Sequence, residues 1–210
     1  MKAPIPLFPA VEDVLSEWVV RRALATRPVS YAIGPVFSPG GYGYLKQQAR
    51  AFNNAAKACP FLLLTDLDRS PCPSQLIGEW VGQFQHPHFL LRVAVREVES
   101  WLLGDPAGLS SFLGLRTPFD FGNPEQLVDP KLELLKLASR SPRRAIRAAL
   151  TWKDAASGRL SQGPDYNAPL ARFAATDWNI AAARKNCRSL ERLLLALERI
   201  EAEFAAKGST

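Results

Sequence analysis

The sequence predicts an α/β fold: a mostly parallel, four-stranded sheet flanked by helices, followed by a mainly α-helical C-terminal half. Three observations predict it. Short apolar runs bounded by turn residues alternate with stretches of helical periodicity through the first half of the chain. Phe61-Leu62-Leu63-Leu64, preceded by Pro60, is apolar at every position, as in a strand buried on both faces. Acidic residues also stand just past the ends of three such runs, at Glu12, at Asp66 and Asp68, and at Glu97 and Glu99. That edge is where open α/β sheets place their ligands.

The elements follow in order. Ile5 to Val11 reads as a strand, although prolines 4, 6 and 9 cannot donate to a ladder and argue for a late or irregular start. Val14 to Leu24 carries Leu15, Trp18, Val19 and Ala23 at helical spacing. Val29, Tyr31 and Ile33 alternate within a second strand, Pro28 to Ile33. A loop rich in glycine and aromatic residues, Gly34 to Tyr44, leads to a helix over Leu45 to Lys57. The loop lacks the Gly-Lys-Ser/Thr of a nucleotide-hydrolysing phosphate loop. After the Phe61 strand, a helix is expected over Ser74 to Phe84, then a fourth strand over Phe89 to Val95.

Residues 106–210 read as helical: a short helix after Asp105-Pro106, one opening at Pro130, one at Ser141-Pro142, and a long one over Leu190 to Ala205. Gly158 to Pro169 reads as a polar loop. The expected division is a 1–105 α/β core and a 106–210 basic, helical region packed on or beside it. All five tryptophans are expected in the core, with base stacking as the alternative for Trp152 and Trp178.

Composition excludes several classes. With 47% hydrophobic residues the chain can bury a core, and no stretch is long and apolar enough to span a membrane. The amino terminus lacks the pattern of a secretory signal, so a cytoplasmic location is the expectation. Cysteines 59, 72 and 187 show no zinc spacing, and two histidines are too few for a histidine-based centre. The net charge of +6 is concentrated: Lys131 to Arg159 holds eight basic residues against two acidic ones. That window is either a solvated helical face or a phosphate-binding surface.

Asp66 and Asp68 share one face at a strand end. Two carboxylates held so close repel unless a cation neutralises them, and oxygen ligands suit magnesium or manganese. A solvated acidic turn is the alternative reading of the same residues.

On Glu12, on Asp66-Leu67-Asp68, and on Arg96-Glu97-Val98-Glu99-Ser100-Trp101-Leu102-Leu103, the chain resembles the Toprim domain, and within it small OLD-like proteins. A weaker echo lies at Gly163-Pro164-Asp165-Tyr166. The resemblance implies a Toprim-type, Rossmann-like sheet with Glu12, Asp66, Asp68, Glu97 and Glu99 as ligands to Mg2+ or Mn2+. Glu12, Asp66, Asp68 and Glu99 are then the catalytic acids. Two positions depart from the pattern: the glycine that follows the Toprim glutamate is Asp13 here, and the acid four residues after it is Ser16, with Glu17 next. Asp13 and Glu17 are therefore the candidates for a second site. Candidates for phosphate binding are Lys46, Arg69, Arg96, Arg143, Arg144 and Arg147.

The function so implied is a divalent-metal-dependent nuclease, a phosphodiester hydrolase acting on DNA or RNA, in defence against mobile elements or phage. The chain carries no ATPase domain of the kind larger OLD proteins have, so a separate ATPase subunit is an implied partner. The alternative is a non-catalytic, Toprim-like subunit that binds nucleic acid or a partner protein. A phosphatase or nucleotidyl-transferring enzyme is a third reading. Oligomeric state is not read from the sequence.

Overall fold

A computed structural model describes residues 3–38 and 40–207. Four strands, β1 (Ile5–Ala10), β2 (Tyr31–Ile33), β3 (Phe61–Asp66) and β4 (Phe89–Ala94), form one parallel sheet in the order β2-β1-β3-β4. The helices between them are α1 (Val14–Ala25), α2 (Gly41–Ala55) and α3 (Pro73–Val81). Then come α4 (Val98–Leu103), α5 (Pro106–Leu113), a 3-10 turn at Pro124–Gln126, α6 (Pro130–Ser139) and α7 (Arg144–Leu150). A two-stranded hairpin of β5 (Thr151–Lys153) and β6 (Leu160–Gln162) precedes α8 (Asn167–Thr176), α9 (Ile180–Asn186) and α10 (Arg188–Lys207). Among the described residues no helix is long and apolar enough to cross a membrane.

The sheet is covered on both faces, which is why its strands are apolar nearly throughout. Phe61, Leu63, Phe89, Leu91 and Val93 pack with α2 and α3. On the other face Ile5, Leu7, Leu62, Leu64, Leu90 and Ala94 join α1, α4 and the helices from α5 onward in one cluster. That cluster runs from Ile5 to Ile200, so both halves of the chain supply the same core.

Several expectations are corrected. β1 is a central strand that starts at Ile5 despite its prolines. Pro6 precedes the first β1–β3 pair, Phe8 with Phe61, and Pro9 lies past the last β1–β2 pair, Leu7 with Ile33. Each proline therefore lacks its N–H where the neighbouring ladder has not begun or has ended, and Pro9 still accepts through its carbonyl from Phe37 N at 2.9 Å. Helix α2 starts at Gly41, four residues earlier than expected. The stretch read as a polar loop holds β6 and the start of α8. Trp18 is 40% and Trp152 61% exposed, so neither is a core residue, whereas Trp80, Trp101 and Trp178 are fully buried.

Candidate functional site

Register places the acids. Ala10 pairs with Leu63, so two residues on Glu12 comes level with Thr65 and Asp66. Its Oε1 accepts from Thr65 Oγ1 at 2.5 Å and from the Asp66 backbone N–H at 2.9 Å. Asp66 in turn pairs with Ala94 across β3–β4. The chain leaves β4 through a cis Val95–Arg96 peptide and enters α4, whose Val98 N–H donates to Asp66 Oδ1 at 3.0 Å. Asp68 sits at φ 47°, in the left-handed region that a short polar side chain tolerates. Its N–H donates to Arg96 O at 3.0 Å.

The third acidic segment closes over the first two. Glu99, only 3% exposed, accepts from Tyr166 Oη at 3.0 Å and faces Lys131 Nζ at 3.5 Å. Glu97 accepts from the Lys131 backbone N–H at 3.2 Å. Helix α6 is started by Asp129, which caps Leu132 N at 2.7 Å, with Pro130 in the first turn. That start delivers both Lys131 contacts.

The electrostatics mark a crowded anionic site. Burial first, then the charges of Glu99, Glu12, Asp68 and Glu97, hold the Asp66 carboxyl well above its ordinary value. Burial and the neighbouring Glu99 raise Glu97 to about 7. Burial likewise raises Glu12 and Glu99, although Thr65 opposes the first shift and Lys131 the second. Burial pulls the Lys131 ammonium down, but Glu99, Glu97 and Asp66 together outweigh it and keep Lys131 above its usual value. These interactions bring Glu12, Asp66, Asp68, Glu97 and Glu99 into one neighbourhood at the carboxyl edge of the sheet.

The other candidates are placed differently. Asp13 caps α1 through Ser16 N at 2.8 Å while its charge still reaches Glu99. Glu17 pairs with Arg21 at 2.7 Å on the surface of α1. Lys46 and Arg69 are exposed, and Arg96 donates to the Asp68 carbonyl at 3.1 Å. Among the described residues none of these three makes a hydrogen bond or ion pair to a side-chain carboxylate of the cluster. Arg147 donates to the Ser141 carbonyl, Arg143 lies against Gly114, and Arg144 is exposed.

Lys131 and Tyr166 were not singled out as site residues in the sequence. Lys131 opens the basic window, and Tyr166 ends the Gly-Pro-Asp-Tyr stretch, which were the available signals. Gly163 shows why that stretch is built as it is. A Cβ there would stand 2.2 Å from Ala149 O and 2.8 Å from Thr151 N, both backbone atoms that cannot yield cheaply. Gly163→Ala is expected to displace Tyr166 from Glu99 and to cost about 1–3 kcal/mol, as overpacking does. Urea unfolding checks it, and a loss within a few tenths of a kcal/mol would show that the close approach is not needed.

The donor set suits a hard cation: carboxylate oxygens that repel one another, opposed by one ammonium. As placed, however, Glu12, Asp66, Glu97 and Glu99 each accept from protein donors. Among the described residues no three acidic, histidine or cysteine side chains close around a point that could hold an ion. Each of these carboxylates keeps a second oxygen clear of those donors, so binding a metal requires the side chains to converge further rather than to lose their present hydrogen bonds.

A parallel sheet between helical layers, with its acids gathered at the strands' carboxyl edge, defines an α/β protein whose site lies at the strand ends. The chain belongs to the family described as a domain of unknown function (DUF4276), whose model matches residues 10–198. No curated protein matches it. Among solved structures it is similar to the C-terminal region of the Burkholderia pseudomallei OLD protein, at 17% identity and a TM-score of 0.41. That similarity covers 91% of this chain and 98% of that one, and is too remote to carry chemistry across. The Toprim likeness accordingly still rests on the sequence, at Glu12, at Asp66 and Asp68, and over Arg96 to Leu103.

Proposed function

We propose that this chain is a magnesium- or manganese-dependent nuclease acting on nucleic acid at the carboxyl edge of its sheet. The observation that carries the reading is the gathering of acids from three strand ends around Asp66, with their carboxyls raised by burial and mutual repulsion. Glu12, Asp66, Asp68, Glu97 and Glu99 would hold the ion, which when bound supplies Lewis acidity and a water of lowered pKa. Lys131, 3.5 Å from Glu99, is the cation that in this reading would meet a phosphate oxygen and offset developing charge. Tyr166 and Lys131 together fix the orientation of Glu99.

Strand binding falls to the hairpin. Trp152 is exposed on β5 beside Lys153, and Arg144 and Lys153 line a cleft of about 340 Å³. An exposed indole on the same hairpin that borders this basic cleft suits stacking on an unpaired base, with the phosphates held electrostatically. Three residues link β6 to Tyr166, so the hairpin leads directly to the acidic edge.

The test combines cleavage and binding. With Mn2+ the protein is expected to cut a single-stranded oligonucleotide, and EDTA to stop it. Trp152→Ala with Arg144→Ala and Lys153→Ala should weaken oligonucleotide binding and lower the salt slope by about one to two counterions. Unchanged affinity and slope would return the basic window to a solvated face.

A second reading, a nucleic-acid-binding subunit without cleavage, is favoured by one observation. Four of the acids already accept hydrogen bonds from the protein, and among the described residues no three close around one point. Binding without metal-dependent cleavage would decide for it.

A further inference from the structure

Arg92 interrupts an otherwise apolar strand, Phe89-Leu90-Leu91-Arg92-Val93-Ala94. It shares the parity of Leu90 and Ala94, whose side chains face the cluster containing α10, and β4 is an edge strand. A guanidinium withdrawn from water is costly unless an anion accompanies it. None does. Arg92 Nη1 donates to the Leu91 carbonyl at 3.1 Å, and its buried Nε has no hydrogen-bond partner.

Its neighbours are cations as well. Burial, and then the charges of Arg199 and Arg192, bring the Arg92 guanidinium down to about 10. Arg192 and Arg199 stand seven residues apart on α10, on one stripe of the helix. Among the described residues neither forms an ion pair or a side-chain hydrogen bond. The contrast on the same helix is plain. Arg27 is held by Glu201 at 2.8 Å, and Glu198 serves Arg27 at 3.4 Å and Arg184 at 3.2 Å. The carboxylates bordering these three arginines are therefore already engaged, Glu198 as above and Glu203 with His88 at 2.9 Å.

Arg92, Arg192 and Arg199 border a cleft of about 610 Å³, walled by Leu195, Ala196 and Ala202. We propose that this cleft is a phosphate-binding site, filled by the phosphate of a nucleotide or of a nucleic-acid strand. Three guanidiniums offer a fan of N–H donors that a phosphate, with three or more oxygens and up to two charges, can satisfy. A single carboxylate, with two oxygens and one charge, leaves donors unmet. Leu195, 44% exposed, gives the cleft an apolar wall against which a sugar or base can lie. The site needs no metal and does not rest on the nuclease reading.

The test is binding in EDTA at low salt, using pyrophosphate, ATP and a short fluorescent oligonucleotide as separate probes. Arg192→Gln with Arg199→Gln, both at exposed positions, is expected to weaken binding about tenfold or more and to lower the salt slope by about one to two. Loss confined to pyrophosphate and ATP identifies a free nucleotide as occupant, and loss confined to the oligonucleotide identifies a strand. The proposal is overturned if no probe binds the wild type, or if the double variant binds as tightly with the same slope. It also falls if poly-glutamate competes as well as the oligonucleotide, which makes the cleft a dock for acidic protein. Arg92→Met adds a readout that does not involve ligand. A site built at the expense of the fold predicts an unchanged or higher melting temperature without ligand. A lower one makes Arg92 a structural brace and overturns the proposal.

Discussion

Replacing Asp66 and Asp68 together by asparagine is expected to abolish manganese-dependent cleavage and, with it, the thermal response to the ion. Loss of the partners that merely orient metal ligands already costs 10–100-fold, so losing two ligands should exceed about a hundredfold. In the wild type, an ion at a hundredfold excess over its Kd should stabilise the fold by about 2.7 kcal/mol. For a chain of this size that is a rise of about 5–10 °C in Tm. Without metal the variant should be as stable as the wild type or more so, because Asp66 is surrounded by Glu99, Glu12, Asp68 and Glu97. Asparagine can still accept from Val98 N–H. A variant that melts far below the metal-free wild type would mean that the pair holds the fold through hydrogen bonds. The nuclease reading would then lose its main support.

Stability without metal is expected to fall as pH rises from about 5 to about 8, the reverse of an ordinary acid-sensitive protein. Glu97 is raised from 4.5 to about 7, so between those values the folded chain binds a proton that the unfolded chain has released. By linkage, stability then declines with rising pH through that window and levels off above it. At about 1.4 kcal/mol per pH unit, discounted for solvent screening of a half-buried group, the decline from Glu97 is on the order of 1–2 kcal/mol. Asp66, Glu12 and Glu99 are shifted in the same direction and steepen it. Glu97→Gln keeps an oxygen for Lys131 N–H and removes the charge, so it should flatten the slope and raise stability at pH 8. Urea unfolding in EDTA across this range decides the matter. A flat or rising profile, or a Gln variant weaker at pH 8, would show that the carboxylates are ionised without penalty.

Legibility in the sequence followed the range of the interactions involved. Phe61 to Asp66 was readable because an uninterrupted apolar run is a local signal, and Glu12, Asp66 and Glu97 were readable because each follows such a run. Lys131 was not, because its contact with Glu99 joins segments far apart in the chain and depends on where α6 begins. Tyr166 is similar: its hydroxyl matters only once Gly163 has let the chain pass against Ala149. Strands β5 and β6 are three residues each, too short for alternation to register. Trp152 was read as buried because an indole is usually core, whereas here it is carried outward on that hairpin. Asp13 and Glu17 show how local roles overlie a sequence pattern. Both stand in the right stretch, but one caps a helix and the other pairs along its surface.

The long final helix has a consequence for how the protein is made. Arg27 holds Glu201 across 174 residues of sequence, and Tyr31, on the β2 edge, donates to the same carboxylate at 2.9 Å. At the opposite edge Ser189 accepts from Val95 N at 3.2 Å and from Trp101 Nε1 at 2.7 Å. One helix thus fastens both margins of a sheet whose strands were synthesised long before it. During translation α1 is available early to cover part of this face, but Leu90 at the β4 margin waits until α10 follows. Closing so long a loop has to precede the contacts that reward it, which makes for slow folding. That margin therefore stays open until the end of the chain emerges, the state in which chaperones find their clients and misassembly begins.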